Sequence, residues 1–259
     1  MSALDHRLDR TILINAPREA VFRYFTDSSR WASWWGTGST IDARPGGKIH
    51  IRYPEGTEVA GEVVEVHPPE RIVFTYGYVG GNPIPPGSSR VTIQLAAERG
   101  ATRLTLTHEL ESAAVRDQHV QGWRYQLSLF SNVVTDDVNS GASTVIDAWF
   151  DSWAEPDAGV RERTLGKIGS PDIRFHDRYS NIAGLGELLP HIAAAQRFMP
   201  GLRMQRRGEV RHCQGTVLAD FAVVGPDGNE RAQGTNVFVF GPSGQIEAAT
   251  GFMNPPKSA

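Results

Sequence analysis

Asp177 is the residue of this chain whose setting most suggests chemistry. It closes the segment Ile173-Arg174-Phe175-His176-Asp177. In an extended segment alternate side chains share a face. Asp177 should therefore point with Ile173 and Phe175 into an apolar interior. A carboxylate held there has a raised pKa and can take a proton from a carbon beside a carbonyl. The competing reading is a turn: Asp177 caps Asp177-Arg178-Tyr179-Ser180, paired to Arg178 or Arg174. Asn236 shares a strand face with Phe238 and Phe240. Its amide can anchor a ligand oxygen or make a purely structural hydrogen bond. Trp149, with Phe150 and Trp153, completes the apolar surroundings. His176 alternates to the opposite face and reads as a surface residue.

A second group lies earlier in the chain. His108 sits on the apolar face of a strand, and His119 on the apolar face of a long helix, one turn before Trp123. With Trp35, Tyr76 and Phe130 they should face one interior space. An apolar cavity with a few polar anchors suits a hydrophobic small molecule. The alternative is a filled core whose histidines bond to backbone groups. Trp31, Trp34 and Trp35 read more readily as a packed corner than as a binding box.

Other chemistries lack their residues. The eight histidines and single Cys213 show no metal-ligand spacing. There is no G-x-S-x-G elbow, and Gly80-Gly81 precedes Asn-Pro rather than a phosphate-binding helix start. No cofactor and no metal are expected.

The elements that must hold these residues are readable from periodicity. Residues 11–14 read as a strand, Pro17 as a first helical position, and Val21, Phe22 and Phe25 as an apolar stripe. Alternation marks strands at 47–53, 59–66, 71–76, around 91–95 and around 104–110. A long helix should cover 113–134, with Val115, His119, Trp123, Leu127, Phe130 and Val134 on one face. A short polar boundary is expected at Thr135-Asp136-Asp137. Beyond it, helices are expected near 142–153, over 160–168 and over 186–198, with a strand at 171–177. Four strands at 202–212, 216–224, 231–240 and 244–253 finish the chain, two of the turns being Pro226-Asp227-Gly228 and Pro242-Ser243-Gly244. Domains are thus expected at 1–137 and 138–259, two cores within 259 residues.

Composition narrows the function classes. With 40% hydrophobic and 21% charged residues the chain can build real cores. A net charge of −3, evenly spread, gives no footprint for nucleic acid or a membrane surface. No apolar run approaches the ~18 residues of a membrane span. The charged start MSALDHRLDR has no secretory apolar core, and one cysteine allows no intrachain disulfide. A cytoplasmic protein of bacterial type is expected.

Two families share motifs with the chain. Ala16-Pro17-Arg18-Glu19-Ala20-Val21-Phe22, Trp34-Trp35-Gly36, Pro45-Gly46-Gly47-Lys48, Gly61-Glu62-Val63, Pro68-Pro69-Glu70-Arg71-Ile72-Val73-Phe74 and Gly122-Trp123 resemble the SRPBCC (START-like) superfamily. The resemblance covers about residues 8–134, and its nearest subfamily is the activator of heat-shock-protein-90 ATPase homologues. Residues 138–253 resemble the SnoaL-like branch of the nuclear-transport-factor-2-like superfamily. They do so through Ala148-Trp149-Phe150, Phe175-His176-Asp177, Ile182-Ala183-Gly184, Leu189-Pro190-His191-Ile192, Gly234-Thr235-Asn236-Val237 and Gly244-Gln245-Ile246.

These resemblances imply an α+β chain. A helix-grip antiparallel sheet wrapped on a long C-terminal helix is followed by a cone-shaped α+β barrel. They also imply polyketide cyclase, isomerase or dehydratase chemistry in the second half, with Asp177 resembling the general base of ketosteroid isomerases. Two departures count against that exact reaction. Asn236 replaces an acid, and the first helix of this half has Trp149, Phe150 and Trp153 but no tyrosine. The expected partner is a hydrophobic small molecule, with Asn236, Trp149, Phe238, Trp35, Tyr76, His108, His119 and Trp123 as ligand-binding residues and a homodimer through the second half. The alternatives are a metabolite carrier, a sensor or interaction protein, and, last, a co-chaperone.

Overall fold

A computed structural model describes residues 4–255. The chain divides into two compact units between Thr135 and Asp136. Both are mixed α+β, built on largely antiparallel sheets with six α-helices in all among the described residues.

The first unit opens with β1 (His6–Ile14), α1 (Arg18–Phe22) and α2 (Ser28–Trp35). Strands β2 (Thr40–Ile41), β3 (Lys48–Arg52), β4 (Glu58–His67), β5 (Arg71–Tyr78), β6 (Ser89–Glu98) and β7 (Ala101–Leu110) follow, then α3 (Ala113–Val138). The seven strands form one sheet in the order β1-β7-β6-β5-β4-β3-β2, so only β1 departs from sequence order. Alternation works as expected in β6, where Val91, Ile93 and Leu95 are buried while Arg90 and Gln94 are exposed. The buried face of α3 carries His119, Trp123, Leu127, Phe130 and Val134. Phe130 is fully buried and meets Phe25, Tyr24 and Trp34 at ring distances of 5.1, 5.8 and 4.7 Å. Burying one such side chain contributes roughly 1.5–3 kcal/mol.

One expectation changes here, and one unassigned segment gains a structure. Helix α3 runs on to Val138, so Thr135-Asp136-Asp137 is its last turn and no linker. No glycine or proline interrupts the helical pattern between Trp123 and Asn139-Ser140-Gly141. The tryptophan-rich segment is a helix, α2. Asp27 precedes it with extended backbone, and its carboxylate accepts the Arg30 N–H at 2.9 Å. Asp27→Ala should therefore lower stability, read as a lower urea midpoint at unchanged slope.

The second unit comprises α4 (Ala142–Ser152), α5 (Ala158–Ile168), β8 (Gly169–His176), β9 (Asn181–Ala183), α6 (Leu185–Phe198), β10 (Arg203–Cys213), β11 (Thr216–Val224), β12 (Glu230–Phe240) and β13 (Ile246–Met253). Its sheet order is β10-β11-β12-β13-β8-β9. The three-residue β9, too short to show alternation, is an element that periodicity missed. Helices and sheet enclose one core that includes Trp149, Phe150, Leu188, Ile192, Phe238 and Phe240. The register of β13 brings together residues that are far apart in the chain. It pairs antiparallel with β12, placing Gly251 opposite Asn236, and parallel with β8, placing Thr250 opposite His176. Gly251 therefore lies between Asn236 on one side and Asp177 on the other.

Candidate functional site

A cavity of about 980 Å³ opens in the second unit. Its apolar wall includes Trp149, Trp153, Phe175 and Phe221, and its polar wall includes Asp177 and Asn236. Phe221 lies over Gly234, where an added Cβ would stand 2.6 Å from the ring. The missing side chain at Gly234 thus lets the ring occupy that place.

Asp177 is half-buried at the end of β8. Its Oδ1 accepts the Tyr179 N–H at 2.8 Å, and its main chain bonds in both directions with that of Ser180. The turn-capping role and a place on the cavity wall coexist, because one carboxylate has about four lone-pair sites. Ser180 bonds His191 on α6 at 3.1 Å, tying the turn to that helix. Asn236 is 3% exposed. Its amide makes no hydrogen bond to another side chain or backbone group among the described residues. Asn236 lines the cavity, where a water or ligand atom can bond its amide. A Cβ built on Gly251 would lie 3.2 Å from Asn236 Oδ1 and 3.5 Å from Asp177 Cβ. The two polar residues thus flank one glycine, each one strand away from it.

Trp149 meets Trp153, Phe175 and Phe238 at ring distances of 6.0, 5.8 and 5.9 Å. Phe238 does not line the cavity, which corrects the expectation for it. It is fully buried, packed against Trp149 and Phe150. Alternation identifies an inward side chain but not whether that side chain meets a void or a neighbour. His176 is exposed, as alternation predicts. Gly251 is the residue that sequence reasoning passed over. Its signal was an isolated glycine inside a strand pattern, which marks a close approach or an opening.

The residues expected to bind a ligand in the first unit are arranged differently. Trp35, Tyr76, His108, His119 and Trp123 are all buried and pack on one another. Ring centroids lie 5.2 Å apart for His108–His119, 5.3 Å for Tyr76–His108 and 5.7 Å for Trp35–Trp123. Trp123 Nε1–H donates to His108 Nδ1 at 3.0 Å. Nδ1 is therefore unprotonated, and the neutral ring carries its proton on Nε2. That N–H donates to Ser89 Oγ at 2.8 Å, and the Ser89 hydroxyl donates to the Tyr76 carbonyl at 2.7 Å. Every polar atom of His108 is engaged. Burial, with the nearby His119 ring, lowers its pKa to about 3. His119 is satisfied likewise. Its Nδ1–H donates to the Val115 carbonyl at 2.7 Å, leaving Nε2 to accept from the Tyr78 hydroxyl at 3.4 Å. These five side chains form a packed aromatic cluster, not the wall of a ligand space. Ser89, which completes the His108 chain, carried no signal in the sequence.

No group of three or more His, Cys, Asp or Glu residues able to hold a metal occurs among the described residues. No helix among them is long and apolar enough to cross a membrane.

The protein thus combines an aromatic-cored α+β unit with a second α+β unit built around an open apolar cavity. Residues 15–135 match the family described as Activator of Hsp90 ATPase homolog 1-like protein. Solved structures similar to parts of the chain include a SnoaL-like family protein from Agrobacterium tumefaciens strain C58. It is 24% identical, with a TM-score of 0.42, covering 43% of this chain and 96% of its own. An HSP90 activator from Plasmodium falciparum is 25% identical, with a TM-score of 0.39, covering 45% of this chain and 86% of its own. The Aha1 dimer from Colwellia psychrerythraea is 17% identical, with a TM-score of 0.41, covering 47% and 90%. A search of curated proteins returns no match.

Proposed function

We propose that the second unit binds a hydrophobic, carbonyl-bearing small molecule and moves a proton on it without a cofactor. The observation that carries this reading is the placement of Asp177 and Asn236 on the wall of one apolar cavity, on either side of Gly251. The apolar body of the ligand packs on Trp149, Trp153, Phe175 and Phe221. The Asp177 carboxylate accepts a proton from the carbon next to the carbonyl. The C–H electron pair becomes the C=C bond of the enolate, the carbonyl π pair moves onto oxygen, and the Asn236 amide N–H donates to that oxyanion. Return of the proton at another carbon completes an isomerisation; attack of the enolate carbon on a second carbonyl, whose new alkoxide takes the proton back from Asp177, completes a cyclisation. Within this reading the first unit is a helix-grip domain with α3 as the gripped helix, and the second is a cone closed by α4, α5 and α6.

The second reading is a non-enzymatic ligand carrier. It is favoured by the Tyr179 N–H already held by Asp177. The two separate in one experiment on the full chain with 2-tetralone, a bicyclic ketone with an acidic α-carbon. Deuterium uptake at that carbon in D₂O is followed by NMR. Wild type should accelerate uptake. Asp177→Asn should slow it by about 10²-fold or more, the scale of a general base, while still binding the ketone. Uptake that is unchanged by Asp177→Asn leaves the carrier reading.

A further inference from the structure

The charges around the cavity of the second unit do not balance. Its lining includes four charged side chains, Asp177, Arg178, Arg203 and Arg231. Arg231 is already engaged. Its Nη2 lies 2.7 Å from Asp227 Oδ2, and it packs so closely over Gly225 that a Cβ there would stand 2.8 Å from its Nε. Arg178 and Arg203 have no carboxylate partner among the described residues. The Arg178 guanidinium rests instead over the Tyr179 ring, 5.7 Å from its centroid, a cation–π contact that occupies none of its N–H donors. Three guanidiniums thus face two carboxylates, Asp177 and Asp227, and one positive charge is left unanswered. This local excess runs against the chain as a whole, whose net charge is −3.

Position gives that charge a direction. Trp149, Phe175 and Phe221 are buried and form the apolar interior, whereas Arg178, Tyr179 and Arg203 are exposed and lie at the mouth. Arg203 opens β10, opposite Val224 of β11, and Arg178 follows Asp177 in the turn after β8. Separate parts of the fold therefore bring the two cations to one cavity. We propose that the ligand of this cavity is a hydrophobic carboxylic acid bound as its anion, with its apolar body inward and its carboxylate among the mouth arginines. This rests on the binding reading given above and adds a polar group separate from the carbonyl. A guanidinium presents a planar fork of N–H donors that matches a carboxylate. The apolar walls focus its field at the mouth and steer an anion toward it. A single negative charge, which a carboxylate supplies, answers the one positive charge left over. Exposure keeps the gain modest, because water and salt screen it.

The test uses the full chain and two probes with the same naphthyl body, 2-naphthylacetate and its neutral isostere 2-naphthylacetamide. Dissociation constants are measured at neutral pH by ligand-observed NMR. At low salt wild type should bind the acid about fivefold or more tighter than the amide. The preference should fade in about 1 M salt, where the screening length falls to about 3 Å. Arg178→Gln combined with Arg203→Gln should remove the preference and leave the affinity for the amide within about twofold. Arg178→Lys combined with Arg203→Lys should keep part of the preference, because the charge stays while the planar fork is lost. Equal affinity for acid and amide in wild type, or a preference that survives the double glutamine variant, overturns the anionic ligand while leaving the cavity as a binding site. Failure of wild type to bind either probe overturns the binding reading itself, and this proposal with it. Thermal melting of each variant at the wild-type temperature confirms that a lost affinity is not a lost fold.

Discussion

Lowering the pH from about 7 to about 5 should remove about 2 kcal/mol of stability from the first unit, through His108 alone. The imidazole has an ordinary pKa of 6.5 when the chain is unfolded and about 3 when it is folded. A depressed folded pKa means that the stabilisation is fully present above the unfolded value, where neither state binds the proton. As pH falls below it, the unfolded chain takes up a proton that the folded chain refuses, and stability drops by up to about 1.4 kcal/mol per pH unit. The loss continues until the folded pKa is reached, by which point it totals about 4–5 kcal/mol. That is comparable with the whole stability of a small domain, about 5–15 kcal/mol. The structural cause is specific. Protonating Nδ1 would turn it into a second donor facing the Trp123 N–H, breaking the chain that runs through His108 to Ser89 and Tyr76. Chemical denaturation at a series of pH values between 7 and 5, above the carboxylate range, isolates the effect. His108→Gln should be less stable at neutral pH yet should lose most of the slope. A slope unchanged by that substitution would place the titrating group elsewhere.

Gly61→Ala should have an effect of similar size, about 3 kcal/mol or more, as an overpacked and strained strand pair. A Cβ at Gly61 would stand 1.8 Å from the Thr75 carbonyl oxygen on β5, a distance no side-chain rotation relieves. The neighbouring strands would have to separate where Glu62 N–H donates to Thr75 Oγ1 at 2.9 Å. The register between β4 and β5 is already irregular from Val63 to Glu65. Thermal unfolding of the full chain should show the first unit melting earlier with the second unchanged. Gly251→Ala makes the useful contrast. There the added carbon meets Asn236 Oδ1 at 3.2 Å and Asp177 Cβ at 3.5 Å, side-chain atoms that can give by a few tenths of an ångström, so it should leave melting nearly unchanged. Of these two strand glycines, only Gly61 is thus fixed by the backbone of a neighbouring strand.

Much of this architecture is legible in the residue pattern, for physical reasons. The apolar–polar alternation of β6 and β7 and the 3.6-residue stripe of α3 are local patterns that burial imposes on the chain directly. The same alternation turned Asp177 and Asn236 inward and His176 outward. Helix α2 was not legible although Trp31, Trp34 and Trp35 stand at i, i+3 and i+4 on one buried face, because eight residues hold too short a run of that period to stand out. Asp27, its cap, precedes two serines that look like any polar turn. Phe238 was misplaced for a related reason: inward-pointing residues look alike whether they meet a void or another ring.

Residue pattern alone therefore determined the mixed α+β class, the two successive cores, the inward direction of the histidines and the carboxylate, and a charge distribution without a nucleic-acid footprint. Tertiary structure decided which inward residues meet each other. His108 finds Trp123 and Ser89 from distant elements, so the first group of candidates closes into a packed, proton-refusing cluster. Asp177 and Asn236, fifty-nine positions apart, become neighbours only because β13 pairs with both β8 and β12 and places a glycine between them. Alternation is written in one strand at a time, whereas register and the volume left between packed rings depend on several strands and helices at once.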